Sequence, residues 1–211
     1  KAEVFEFYGA SETSYISMSI PSEFPPDRSV GRVCQGVDLK ILSRAKIECP
    51  AGELGKIWVK SKFTFESYYF GANSLYERVG EWITIGDVGY FDQNGFLFLC
   101  GRDDRMFNVS GHNIFPEEIE QVLTKSCFVS EVAVVGVGHY LREKIIVAVL
   151  LASKKEKVSV DKIRLLCKKH LLSYKVPHKF IFIKDWPMLT SGKTDYGSIQ
   201  LVAESVQKTN E

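Results

Sequence analysis

Near the end of the chain, Lys193 follows a turn of small residues, Thr190-Ser191-Gly192. Three groupings precede it: Tyr8-Gly9-Ala10-Ser11-Glu12-Thr13, Ile85-Gly86-Asp87, and Gly101-Arg102-Asp103-Asp104, which leads into Gly111-His112-Asn113-Ile114-Phe115-Pro116-Glu117-Glu118-Ile119-Glu120. A lysine on a mobile turn can neutralise a developing phosphoanhydride. An aromatic ring can stack on a base, a hydroxyl can donate to phosphate, and a carboxylate beside them can hold Mg²⁺. In this order the groupings point to ATP-dependent adenylation of a carboxylate, which needs attack on the α-phosphate, a cation on the phosphates and a fixed nucleotide.

Each grouping alone also fits a plain structural reading. Tyr8 to Thr13 is equally a strand end turning through Gly9 with a solvated Glu12. Asp87 after Gly86 can accept from ribose hydroxyls or simply be a turn aspartate. Arg102 can donate to ribose or phosphate through its planar fork, or pair with Asp103 or Asp104. Lys193 alone is a loop lysine. It is no P-loop, because the G-x-x-x-x-G-K-[ST] frame is missing around Gly192.

Other chemistries find no support. The four histidines do not stand at metal-ligand spacing, and only His112 lies inside a candidate motif, where it either touches a ligand or is an ordinary hairpin residue. There is no Gly-x-Ser-x-Gly elbow for a serine hydrolase. The five cysteines (Cys34, Cys49, Cys100, Cys127, Cys167) are scattered singly, as suits reduced core-filling thiols of a cytoplasmic protein.

The groupings need elements to hold them. Val37 to Leu42 and Gly55 to Lys60 alternate apolar and polar residues as half-buried strands do, and Asp92-Gln93-Asn94-Gly95 carries the Asn-Gly hairpin signal. Residues 1–103 are therefore expected to form a β-rich subdomain, a small barrel or curled sheet. Beyond them, Pro116 opens a helix with Glu117 and Glu118 in its first turn and Ile119, Val122 and Leu123 on its apolar face. Ser159 caps a second helix, with Ile163, Leu166, Cys167 and Leu171 on one face and Lys168, Lys169 and His170 in its last turn. Glu131 to Val137, Lys144 to Leu151 and Phe180 to Ile183 read as strands, and the polar tail from Ala203 reads as frayed. Residues 104–211 thus form a compact α/β domain, and the chain as a whole is α+β.

With 45% apolar and 25% charged residues, the composition is that of a soluble globular protein. Charge is balanced, with 27 basic and 26 acidic side chains, so nothing draws the chain to nucleic acid or an anionic membrane. No apolar run reaches the roughly 18 residues of a spanning helix. The chain starts at Lys1 and enters a motif at once, so it is expected to be part of a longer protein.

Taken in order, the motifs resemble the later part of the adenylate-forming superfamily: acyl-CoA synthetases, peptide-synthetase adenylation domains and luciferases. The resemblance implies that Tyr8 stacks on adenine, Ser11 contacts phosphate, and Glu12 links to magnesium. Asp87 and Arg102 take the ribose; Ile85 departs from the family's threonine. Asp104 is the hinge about which a small mobile C-terminal domain swings. Lys193 bridges carboxylate and phosphate in the adenylating pose and is then withdrawn, while the hairpin carrying Gly111 lines a channel for the incoming thiol. Asn113 stands where some relatives have arginine. Pro116 before the glutamates is similar to CoA ligases rather than peptide-synthetase domains. The implied reaction uses ATP, Mg²⁺ and CoA to turn a carboxylic acid, expected to be a fatty acid, into acyl-AMP and then acyl-CoA. The phosphate loop and acyl pocket belong to an N-terminal remainder, without which the chain is expected to be inactive. Two rivals stay open: transfer to a carrier protein, and a non-catalytic binding module of the same fold.

Overall fold

The computed structural model describes residues 2–69, 75–139, 142–153 and 159–208. Contacts divide the chain into two compact units, Lys1–Asp104 and Arg105–Glu211.

The first unit is strand-rich. β1 (Glu6–Ala10), β2 (Ser14–Ser19) and β3 (Arg32–Val33) form an antiparallel sheet in the order β1-β2-β3. Six further strands follow: β4 (Val37–Leu42), β5 (Gly55–Ser61), β6 (Glu77–Val79), β7 (Trp82–Thr84), β8 (Asp87–Phe91) and β9 (Leu97–Arg102). β5 is the hub of their sheet. It pairs with β4 along one edge and shares the other between β7 and β8, while β6 and β9 end the sheet without pairing to each other. Of the two forms expected for this unit, a small barrel or a curled sheet, the barrel is absent among the described residues; the sheet is open. Alternation sends Ile41, Ile57, Val59 and Leu97 into one core with Ile16 of β2, and Tyr8 of β1 packs against it. The hairpin signal at Asn94-Gly95 joins β8 to β9: Asp92 Oδ1 accepts from the Asn94 and Phe96 amides at 2.9 and 2.8 Å.

The second unit opens with a hairpin of β10 (Phe107–Val109) and β11 (His112–Ile114), followed by α1 (Pro116–Thr124). β12 (Val129–His139) and β13 (Arg142–Ala152) are antiparallel, and α2 (Val160–His170) crosses over to β14 (Lys179–Ile183), parallel to β13. α3 (Tyr196–Lys208) ends the described chain. The apolar run in β13 feeds two cores. Ile146, Ala148 and Leu150 pack with α1, α2 and the hairpin, whereas Ile145, Val147 and Val149 pack with Ile199 and Ala203 of α3. A strand buried on both faces gives a continuous apolar stretch rather than alternation.

Both expected helices are present. Pro116 occupies the first turn of α1, and Ser159 caps α2 by accepting from the Asp161 amide. The expectation of a frayed tail is overturned up to Lys208: Ile199 and Ala203 are buried against the sheet, Gln207 is buried too, and apolar burial orders the helix. Residues 209–211 lie outside the described residues. The cysteines also depart from a uniform core role. Only Cys167 is fully buried, with its thiol pushed up to about 11 by that burial, while Cys127 is exposed. Among the described residues no helix is long and apolar enough to cross a membrane.

Candidate functional site

In the first unit, β-sheet register explains how positions far apart in sequence meet. Asp87, the first residue of β8, pairs directly with Arg102, the last of β9, so both side chains project from the same face. Arg102 is held from below: its guanidinium donates to the Ile85 carbonyl at 3.1 Å and pairs with Asp104 at 3.4 Å. Asp103 turns to Lys56 instead, at 3.0 Å. Ile85 itself is buried, which accounts for an apolar residue there; the neighbouring Thr84, also buried, accepts from the Gly86 amide at 3.2 Å.

Tyr8 reaches this pair from β1, its hydroxyl donating to Asp87 Oδ2. Burial, then the adjacent Asp87 charge, pushes the Tyr8 phenol well above its ordinary range, so it stays a donor at neutral pH. Burial likewise raises the Asp87 carboxyl. The Tyr8 hydrogen bond and the Arg102 charge oppose that rise, and the Asp104 and Glu12 carboxylates add to it.

The turn after β1 is built on a residue to which the sequence reading gave no role. Thr13 is buried, and its hydroxyl accepts from the Ala10 amide at 3.1 Å while its own amide donates to the Ala10 carbonyl at 3.1 Å. Gly9 sits at a bulge where an added Cβ would stand 2.1 Å from the Ser14 carbonyl oxygen, so only glycine fits. Ser11 is thereby left exposed at the turn, with Glu12 half-buried beside it. Glu12 is not simply solvated: Oε1 accepts from the Tyr68 hydroxyl at 2.5 Å, and the Glu12 carbonyl accepts from the Phe65 amide at 2.9 Å. Tyr68 in turn packs edge-on against Phe65 and Tyr76, at 4.8 and 5.7 Å.

These residues fit one mode of magnesium binding. Among the described residues no group of three His, Cys, Asp or Glu could hold a metal ion. A single oriented carboxylate such as Glu12 suits an ion that keeps several waters and takes its remaining ligands from substrate phosphates.

The second unit supplies the lysine and the hairpin. Lys193 is exposed, on a loop tied by its backbone: the Leu189 amide donates to the Lys193 carbonyl at 2.8 Å and the Gly192 amide to Leu189 at 2.9 Å. Trp186 Nε1 donates to Thr194 at 3.0 Å, and Asp195 caps α3 by accepting from the Ser198 amide and hydroxyl at 3.2 and 2.7 Å. The Thr190-Ser191-Gly192 turn is thus a closed loop between a strand-like bridge (Met188 with Thr194) and a capped helix. The signal for α3 was present as Asp195 followed by Ile199, Val202, Ala203 and Val206 at helical spacing.

At the hairpin tip Ser110 and Gly111 both have positive φ, 51° and 82°, the pattern of a two-residue type I′ turn. Asn108 Oδ1 accepts from the Gly111 amide at 2.8 Å, and an added Cβ at Gly111 would meet nothing within 4 Å, so the tip presents open backbone. His112 stacks on Tyr174, with ring centroids 4.1 Å apart and planes 18° apart. Asn113 is exposed opposite Asn108.

Arg105, the first residue of the second unit, went unassigned in the sequence reading. Its guanidinium makes a fork to Glu120 (2.6 and 3.1 Å), reaches Glu117 at 3.0 Å and lies 3.8 Å over the Tyr196 ring. Glu120 also accepts from the Val134 amide at 2.8 Å. The cluster fastens the start of the unit to α1, β12 and α3. Its sequence signal was the Glu117/Glu120 spacing on one helical face.

Comparison with known proteins bears on both units. The profile of the AMP-binding enzyme family matches residues 1–69, and that of the AMP-binding enzyme C-terminal domain matches residues 118–193. The chain belongs to the AMP-binding enzymes. Among its relatives in this family is an uncharacterized acyl-CoA ligase, YhfT, of Bacillus subtilis, 37% identical over 97% of this chain and 41% of its own length. A long-chain-fatty-acid–CoA ligase of Haemophilus influenzae is 28% identical over 90% of the chain and 34% of its own length. Among solved structures, the o-succinylbenzoate CoA synthetase of Bacillus subtilis in complex with its acyl-adenylate intermediate superposes with a TM-score of 0.85, at 31% identity, covering 94% of this chain and 41% of that one. The chain therefore spans about two fifths or less of the length of these relatives.

Proposed function

We propose that the protein carrying this chain is an acid–thiol ligase that activates a carboxylic acid with ATP and passes the acyl group to CoA. The observation that carries this reading is the convergence of Tyr8, Asp87 and Arg102 on one face of the first unit, beside the oriented Glu12. In the first step a carboxylate oxygen attacks the α-phosphorus of ATP; a P–O bond forms, the bond to the β-phosphate breaks, and pyrophosphate leaves. Asp87 accepts from the ribose hydroxyls with Arg102 beside it, Tyr8 packs against the adenine, and the exposed Ser11 hydroxyl donates to phosphate. Glu12 would hold Mg²⁺, which supplies charge neutralisation on the phosphates. Lys193 places its ammonium on the carboxylate and phosphate oxygens as negative charge develops between them.

In the second step the sulfur of the CoA thiol attacks the acyl carbon. A C–S bond forms, the C–O bond to AMP breaks with its electron pair, and the thiol proton goes to solvent. The open backbone at Gly111 suits passage of a narrow pantetheine arm. We place the hinge between these two steps at Asp104, beside the division between the units. The acid is proposed to be a fatty acid, as for the Haemophilus influenzae relative. CoA is favoured over a carrier protein by the CoA ligases among the relatives. The chain has no Ser/Thr/Gly-rich phosphate loop, so by itself it is expected to be inactive.

The test is ATP–pyrophosphate exchange by the full-length protein across a panel of carboxylic acids, followed by thioester formation with CoA or a phosphopantetheinyl carrier protein. Acid-dependent exchange and acyl-CoA product are expected, with fatty acids the best substrates. Absence of acid-dependent exchange would leave a binding module, and transfer to carrier protein alone would move the acceptor.

A further inference from the structure

The second unit holds a contact that the steps above do not use. Tyr174 lies in a 3-10 turn, Ser173–Lys175, between α2 and β14, far in sequence from the hairpin whose tip it meets. Its ring lies nearly flat on His112, the residue directly after Gly111. The next residue, Lys175, pairs with Glu118 in the first turn of α1 at 2.5 Å. One short turn thus grips the chain on both sides of the joint between β11 and α1: at His112 before it and Glu118 after it.

Besides strand pairing up to Val109–His112 and the Asn108 carboxamide, which accepts from the Gly111 amide at 2.8 Å, the stack on Tyr174 holds the tip from outside the hairpin. Phe107, Val109 and Ile114 are anchored in the core, but Ser110, Gly111, His112 and Asn113 are exposed, and the tip turn is a strained two-residue loop with a serine at positive φ. A stack with a small interplanar angle on a half-buried ring that itself packs against the core restricts rotation of the exposed His112 side chain and, through it, the direction in which the Gly111 backbone faces.

We propose that Tyr174, braced by the Lys175–Glu118 pair, is a positioning residue for the thiol-transfer half-reaction, setting the Gly111–His112 tip without itself touching the acyl group. The inference rests on the reading of this hairpin as the wall of the thiol channel. The Tyr174 hydroxyl is dispensable in this role and the ring is not. Misplacing a channel wall by about 1 Å can cost on the order of 100-fold in rate.

The experiment uses the full-length protein with Tyr174→Phe and Tyr174→Leu, the second keeping apolar volume against the core without a ring. Three rates are compared: pyrophosphate exchange, thioester formation with CoA, and thioester formation with pantetheine, which lacks the nucleotide half. Tyr174→Leu is expected to leave exchange unchanged and to slow transfer to both thiols by ~10- to 100-fold, and Tyr174→Phe is expected to restore both. Slowing with CoA alone would overturn the proposal, since it would make Tyr174 a nucleotide contact. Equal loss of exchange and transfer would overturn it as general misfolding, and normal transfer by Tyr174→Leu would overturn it outright. A wild-type protein without acid-dependent exchange or thioester product would instead refute the ligase reading itself.

Discussion

Asp87 joins two demands that pull in opposite directions. Its carboxylate is placed to accept hydrogen bonds, yet burial raises its pKa and the Glu12 and Asp104 charges raise it further. A carboxyl whose folded pKa lies above its unfolded value favours the folded state when protonated. That contribution is complete below the ordinary aspartate value of about 3.9 and is lost as pH rises through the raised folded value. Asp87→Asn is therefore expected to flatten the fall in stability over that window in denaturant titrations at a series of pH values. The same variant should weaken nucleotide binding, because an amide nitrogen replaces one acceptor. A steeper fall with pH in the variant would contradict this account. Tyr8→Phe removes the hydrogen bond that opposes the shift, so the Asp87 carboxyl should titrate higher still, which NMR of the labelled carboxyl can follow.

At the scale of elements, Arg105 and Asp195 each fix an end. Glu120→Gln keeps the shape of the Arg105 fork but removes its charge, and is expected to destabilise the second unit by about 1.5–3 kcal/mol, the usual worth of a charged hydrogen bond, read as a lowered denaturation midpoint. Asp195→Ala removes the α3 cap and is expected to lower the denaturation midpoint of the second unit. It should also loosen the loop carrying Lys193, visible as faster amide exchange at Ile199. The helices that positioned these groups were legible in sequence where their signals were local: Pro116 at a first turn, Ser159 at a cap. The spacing of Ile199, Val202, Ala203 and Val206 marks α3, but the polar residues past Ala203 mask its end, and burial of Ile199 and Ala203 against the sheet is what orders it. The open sheet was read as a possible barrel because alternation reports which face is buried and says nothing of which strand pairs with β6 or β9. In the same way the candidate residues Tyr8, Asp87 and Arg102 could be named from their types, but the Asp87–Arg102 pairing depends on register across a hairpin. The roles of Thr13, Tyr68 and Tyr174 came from contacts between residues remote in sequence or buried in a turn, for which a single sequence carries no signal.

At the scale of the whole molecule, the two units have separate cores, and the candidate residues divide between them: Tyr8, Ser11, Glu12, Asp87 and Arg102 in one, Gly111 and Lys193 in the other. Residues 105–211 produced alone are expected to unfold in one cooperative transition, since both faces of β13 are covered within that unit. The proposed ligase requires Lys193 for acid activation and not for thiol transfer. The decisive measurement is therefore made on Lys193→Ala in the full-length protein, comparing ATP–pyrophosphate exchange with thioester formation from preformed acyl adenylate. Exchange is expected to fall by ~10²- to 10³-fold, the usual loss on removing one group that stabilises developing charge, while transfer from the preformed adenylate persists. Retention of exchange, or an equal loss of both half-reactions, would contradict the account.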